Sequence, residues 1–162
     1  MVSILFNKIL TCLTLVFVEK KSYLAEDKEY NHTILIMSKE KIYIEYPMKG
    51  SAAMIWRYIG TVAGLSPWFA DKTEAVGKSI IFRWGKTETR TAHIVTQRNG
   101  VYVKMRWDDE DPNTYFEMRI AYNELTREHT LVVTDFADKG ETADQIDLWD
   151  SQIEVLRRLS GM

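Results

Sequence analysis

The stretch VYVKMRW (residues 101–107) sets Val101, Val103, Met105 and Trp107 against Tyr102, Lys104 and Arg106. Successive side chains of an extended strand point to opposite faces, so this period of two predicts a strand with one apolar and one polar face. The segments on either side repeat it. IIFRWG (80–85) places Ile80, Phe82 and Trp84 against Ile81 and Arg83, and YFEMRIAY (115–122) places Phe116, Met118, Ile120 and Tyr122 against Tyr115, Glu117 and Arg119. Gly85, RNG (98–100) and DDEDPN (108–113) supply turn residues between them. TETRTAHIVTQ (87–97) and HTLVVTDF (129–136) read as further strands. An antiparallel meander with one buried face follows, and the alternation turns Arg83, Arg90, Arg106 and Arg119 toward solvent.

Upstream of the meander, KIYIEY (41–46) alternates as another half-buried strand ended by Pro47 and Gly50. Ser51 is the expected N-cap of a short helix over AAMIWRYI (52–59), with Met54, Ile55 and Tyr58 at helical spacing and Gly60 stopping it. A second short helix through TVAGL (61–65) is expected to end at Pro67, which lacks an N–H and restricts the residue before it. Trp68 and Phe69 then stand at a corner before Asp71 and Lys72. Beyond Gly140 the period becomes helical: Ile146, Trp149, Ile153 and Leu156 form a stripe widened by Leu148, Val155 and Leu159. Thr142 or the acids around it are the expected cap, and Arg157 and Arg158 suit the C-terminal end of the helix dipole. At 1.5 Å per residue this helix runs about 25–30 Å, enough to lie across the sheet.

The chain has 162 residues, 46% apolar and 27% charged, with a formal net charge of −2. That is enough for one domain with a hydrophobic core, and the mixed charge argues against a dedicated nucleic-acid surface. Cys12 is the single cysteine and has no internal partner, which points to a reducing, cytoplasmic setting. Residues 1–36 contain no Trp, Gly or Pro, and their apolar run ILTCLTLVFV (9–18) is about half the length of a membrane-spanning helix. They are expected to be an extension, either weakly signal-like or upstream of a true start at Met37, with the domain occupying residues 37–162. No integral membrane association is expected.

Catalytic and metal-ligating patterns are sparse. His32, His93 and His129 have no Cys and no spaced carboxylates to complete a metal site. Nor is there a phosphate-cradling glycine loop or a nucleophile elbow. DDEDP (108–112) reads as a solvated turn, and the acids of DFADKGETADQ (135–145) mostly as helix caps. No catalytic residue, cofactor or metal is predicted. A pocket acid or base is weakly suggested at His93, Tyr46 and Asp135, whose facing alternation does not decide.

The order strand, two short helices, meander and long amphipathic C-terminal helix resembles the helix-grip fold of START-like and Bet v-type proteins, the SRPBCC superfamily. The segments SAAMIWRYI (51–59), LSPWFAD (65–71), GKSIIFRWG (77–85), VYVKMRW (101–107), YFEMRI (115–120), LVVTDFAD (131–138) and LWDSQIEVLRRL (148–159) carry a closer likeness. They are similar to the branch that includes the heat-shock protein 90 ATPase activator C-terminal domain, with Trp56, the Trp68–Phe69 pair and Trp149 in its pattern.

The resemblance implies an α+β domain whose curved antiparallel sheet grips the last helix around a cavity for lipids, sterols, polyketides or other apolar molecules. Trp68, Phe82, Trp84, Met105, Trp107, Phe116, Met118 and Trp149 are the candidate ligand-binding residues, with Trp68 or Phe69 closing the mouth. The leading expectation is non-catalytic binding of a small apolar molecule. A filled core with a protein-interaction surface, linked to chaperones by the resemblance and with no partner specified, is the alternative. A cyclase- or hydrolase-like enzyme is a third.

Overall fold

The computed structural model describes residues 39–162. The expected extension over residues 1–36, with its apolar run 9–18, Cys12 and His32, lies outside the described residues. Strand β1 (Lys39–Met48) is followed by helices α1 (Ala52–Ile59) and α2 (Val62–Phe69). The chain continues through β2 (Lys72–Val76), β3 (Ser79–Trp84), β4 (Glu88–Arg98), β5 (Tyr102–Trp107), β6 (Phe116–Asn123) and β7 (Glu128–Asp138), and ends in α3 (Thr142–Ser160). Among the described residues these seven strands form one sheet in the order β1-β7-β6-β5-β4-β3-β2, every pair antiparallel. The meander therefore returns its last strand to pair with the first, and this α+β architecture is the helix-grip fold.

Register decides which residues face inward. Ala92 on β4 is opposite Ile80 on β3 and Trp107 on β5, Met105 is opposite Phe116, and Val103 is opposite Met118. Cross-strand partners share a face, so the apolar sets read from alternation join into one wall. A bulge between Ile94 and Thr96 inserts an extra residue into β4, and bulges bend and twist a strand. β2 is a strand that alternation does not predict. Its residues KTEAV are mostly exposed at the sheet edge, and its place follows from the two-residue turn at Gly77–Lys78, where Gly77 adopts φ 61°.

The helices differ from expectation in informative ways. Ser51 does cap α1, its hydroxyl accepting from Met54 N at 3.3 Å, but the buried pair is Ile55 and Ile59, and Met54 is exposed. Pro67 does not end α2; it lies within it, and the helix runs on to Phe69 before Ala70 becomes extended. In so short a helix the missing N–H falls in the last turn, so only one intrahelical bond is lost. Close approach is required at Gly64, where a Cβ would stand 1.8 Å from the Arg57 carbonyl oxygen. On α3, Glu141 is the N-cap residue and makes no side-chain capping bond, Leu159 is exposed, and Gln152 joins Leu148, Trp149, Ile153 and Leu156 on the buried side.

Four hydrogen bonds pin α3 to the sheet along its length. Gln145 and Trp149 bind Asp135 on β7, Tyr46 on β1 donates its hydroxyl to Asp150 at 2.7 Å, and Arg157 donates to the Pro47 carbonyl at 2.8 Å. Together these hold the helix over β1 and β7.

Candidate functional site

The eight side chains singled out in the sequence converge on the space between the sheet and the helices. Phe82 and Trp84 come from β3, Met105 and Trp107 from β5, and Phe116 and Met118 from β6, all on the inner face. Trp149 descends from α3 and Trp68 from α2. Seven are buried and Trp107 is partly so. Their centre is Phe69, which the sequence places only as one of two candidates for closing the mouth. Its ring lies 5.1 Å from Phe82, 5.8 Å from Trp149, 5.9 Å from Phe116, 6.3 Å from Trp107 and 6.4 Å from Trp84. These are favourable aromatic separations, so the cluster is cohesive with Phe69 at its hub. Trp68 is peripheral: its ring meets Phe69 at 5.5 Å, and its indole N–H donates to the Tyr58 carbonyl at 3.1 Å, tying α2 to α1. The Trp-Phe pair at a helix end is the available signal for the hub. Alternation cannot assign it, because the pair sits on no strand.

Polar groups interrupt this apolar wall at a few points. Asp135 on β7 is buried, and its carboxylate accepts from Trp149 Nε1 at 2.8 Å, Gln145 Nε2 at 2.7 Å and the Phe136 N–H at 2.8 Å. Burial pushes its pKa up to about 6, against the lowering effect of those three donors. Its role is therefore that of an anchor across the grip, whereas most acids of its segment were expected to cap the helix. Burial and the bond to Asp150 raise the Tyr46 hydroxyl, which stays protonated.

Two oxygens, Gln152 Oε1 and Glu88 Oε1, are shielded from solvent and have no hydrogen-bond partner among the described residues. Glu88 is opposite Trp84 in the ladder, and burial raises its carboxyl against the pull of Arg90.

Arg90 corrects the expectation that all four strand arginines face solvent. It pairs with Phe82 across β3–β4 and so lies on the inner face. Its guanidinium stacks on Trp107 at 4.2 Å and donates to Asp109 at 2.8 Å and Glu110 at 2.8 Å. Two acids of the DDEDP turn are thereby engaged, where a purely solvated turn was expected; Asp111 caps the same turn, accepting from Asn113 N at 2.8 Å. Arg83 and Arg119 are half-exposed, bound to Glu74 and Glu117.

His93 lies on the outer face, between Ser79 and Asp108, and His129 binds the Gly50 carbonyl at 2.9 Å. Among the described residues no group of His, Cys, Asp and Glu is arranged to hold a metal, and no helix is long and apolar enough to cross a membrane. On the outer face a shallow groove of about 380 Å³ opens between Tyr43, Glu45, Tyr122 and Val132.

A curved sheet closed over a C-terminal helix around an aromatic interior defines a class, and the sequence falls within it: residues 36–162 match the model of the START-like superfamily domain. The chain belongs to that superfamily. A Bacteroides fragilis protein, BfR322, whose solution structure is known, is 44% identical over 75% of this chain and 90% of its own, with a TM-score of 0.54. The Aha1 dimer from Colwellia psychrerythraea is 18% identical over 75% of this chain and 93% of that one (TM-score 0.57). CalU16 from Micromonospora echinospora is 12% identical over 75% and 76% (TM-score 0.59). These two likenesses speak to the fold alone. No curated protein matches the chain.

Proposed function

We propose that the domain binds a small apolar molecule, lipid-like or polyketide-like, between the sheet and α3, and does so without catalysis. The observation that carries this reading is Gln152 Oε1, a buried and unpartnered acceptor on the helix face that closes the grip. Leaving such an atom unpaired costs about 1–3 kcal/mol, which a ligand group would offset. Apolar pockets with a few placed polar groups are the usual form of small-molecule sites, and the walls here are aromatic, with the adaptable Met105 and Met118 among them. Phe69 occupies the centre of those walls, so a ligand enters by displacing its ring. A carrier role is favoured over an enzymatic one because Asp135 is already engaged by three donors and His93 faces outward. A cytoplasmic setting fits the single cysteine.

The ring contacts around Phe69 favour a second reading: a filled core, with a protein partner docking on the outside of the sheet. Native mass spectrometry of the protein from its own host, followed by organic extraction, separates the two. The carrier reading expects a mass increment and an extractable apolar compound. An unliganded mass with no uptake from a lipid panel would favour the filled core.

A further inference from the structure

We propose that Ser79, His93 and Asp108 form a second, nucleophilic site on the outer face of the sheet, one that cleaves small aliphatic esters by acyl transfer to Ser79. It stands apart from the grip and holds whether or not the grip takes up a ligand.

Three adjacent strands deliver the three side chains. Ser79 opens β3 and is the ladder partner of His93 on β4, so both project from the same face. Asp108 follows the last residue of β5, and its N–H donates to the Thr91 carbonyl at 2.9 Å, which sets it beside His93. The imidazole is engaged at both nitrogens: Nδ1 lies 2.6 Å from Ser79 Oγ, and Nε2 meets Asp108 Oδ1. An ionised carboxylate only accepts, so Nε2 of a neutral ring carries its hydrogen toward Asp108, and the lone pair of Nδ1 faces the serine hydroxyl. That is the arrangement in which an imidazole takes a proton from a hydroxyl nucleophile while an acid fixes its tautomer and orientation. The two nitrogens exchange the roles they hold in the serine proteases, which leaves the proton path the same. The His93 and Asp108 side chains are 43% and 46% exposed, so a substrate reaches them directly from solvent. Val76, opposite Ser79 in the β2–β3 ladder, is exposed, and Ile81 is half-buried two residues along β3 on the same face. Together they give a short acyl chain an apolar shelf beside the hydroxyl.

Ser79 Oγ attacks the ester carbonyl as its proton passes to His93 Nδ1. The carbon–oxygen bond to the alcohol then breaks, and the alcohol leaves with that proton. Water, deprotonated by the same nitrogen, releases the acid and restores the serine. The open face leaves the charge on the carbonyl oxygen to solvent, so the substrates are esters with good leaving groups. Ser79 and His93 are catalytic residues here, and Asp108 is a positioning residue.

The full chain with p-nitrophenyl acetate tests this, through nitrophenol release and peptide mapping of the acetyl group. A burst of about one equivalent and an acetyl group on Ser79 are expected. This is read on the wild type and needs no variant. His93→Gln should slow the acetylation of Ser79 about 100-fold, and Ser79→Ala should abolish the burst. Asp108→Asn should lower kcat with KM unchanged and Asp108→Glu should recover part of the loss, a pattern that a merely structural contact would not give. Acetylation of lysines with Ser79 unmodified, or Ser79 acetylated equally fast in His93→Gln, would overturn the proposal.

Discussion

The indole N–H of Trp84 donates to the backbone carbonyl of Phe69 at 2.8 Å, fastening the end of α2 to strand β3. The ring at the centre of the interior is thus held by a strand on one side and by a proline-containing helix on the other. Phe69 is both the hub of the core and, if the grip takes up a ligand, the side chain that the ligand displaces.

Phe69→Ala removes the ring that touches six other aromatics and should destabilise the domain by about 3–5 kcal/mol, at the upper end for a large-to-small core change. Trp68→Ala breaks one ring contact and one indole hydrogen bond and should cost less. Urea denaturation of both variants gives the order, and the Phe69 variant is expected to be the less stable.

Asp135 makes stability depend on pH in a direction opposite to that of an ordinary paired carboxylate. Its folded pKa of about 6 lies above the reference value of 3.8, so between these values the folded state holds a proton that the unfolded state has released. The group's contribution is fully present below about pH 4 and is lost as pH rises through 6, a swing of about 3 kcal/mol. The stability difference between the wild type and Asp135→Asn, measured by urea denaturation from pH 4 to about pH 7.5, should shift by about that amount in favour of the variant as pH rises.

Gly64 is where α2 passes against the last turn of α1. A methyl group there meets the Arg57 carbonyl oxygen at 1.8 Å, so the backbone must move. Gly64→Ala should cost about 1–3 kcal/mol by overpacking, against a gain of up to about 1 kcal/mol expected for the same change at an open helical site. A thermal melt showing no loss of stability would contradict the packing described.

Arg90→Lys keeps the charge but cannot reproduce the fork on Asp109 and Glu110 or the planar stack on Trp107. A loss of about 1–2 kcal/mol is expected, part of it screened by salt because Asp109 is more than half exposed. Comparing wild type and variant in low and high salt separates the ionic share from the stacking share.

Much of the fold is legible because burying one face of a sheet imposes a period of two, and β3, β5 and β6 carry it without interruption. β2 leaves no such imprint, since a mostly exposed edge strand has no buried face to encode. The candidate wall is legible for the same reason: Phe82, Trp84, Met105, Trp107, Phe116 and Met118 all sit on alternating positions. The role of Phe69 as hub is hidden because its place comes from the end of a helix that continues through Pro67. Arg90 misleads because the alternation of the sequence turns it toward solvent, and Asp135 because most acids of its segment read as helix caps. Their actual surroundings, an aromatic stack and a pair of helix side chains from elsewhere in the chain, are tertiary contacts. Gln152 has a polar side chain within an apolar stripe, and its burial is visible only once α3 is laid on the domain.

The most direct test of an accessible apolar interior is a methyl NMR titration of the full chain, labelled at methionine, with biphenyl. Met105 and Met118 are fully buried on the inner face and Met54 is exposed on α1. A ligand-binding grip should give saturable shifts at Met105 and Met118 with Met54 unmoved. Shifts confined to Met54, or none at all up to the solubility of the probe, would show that the ring of Phe69 does not yield and that the interior is a filled core.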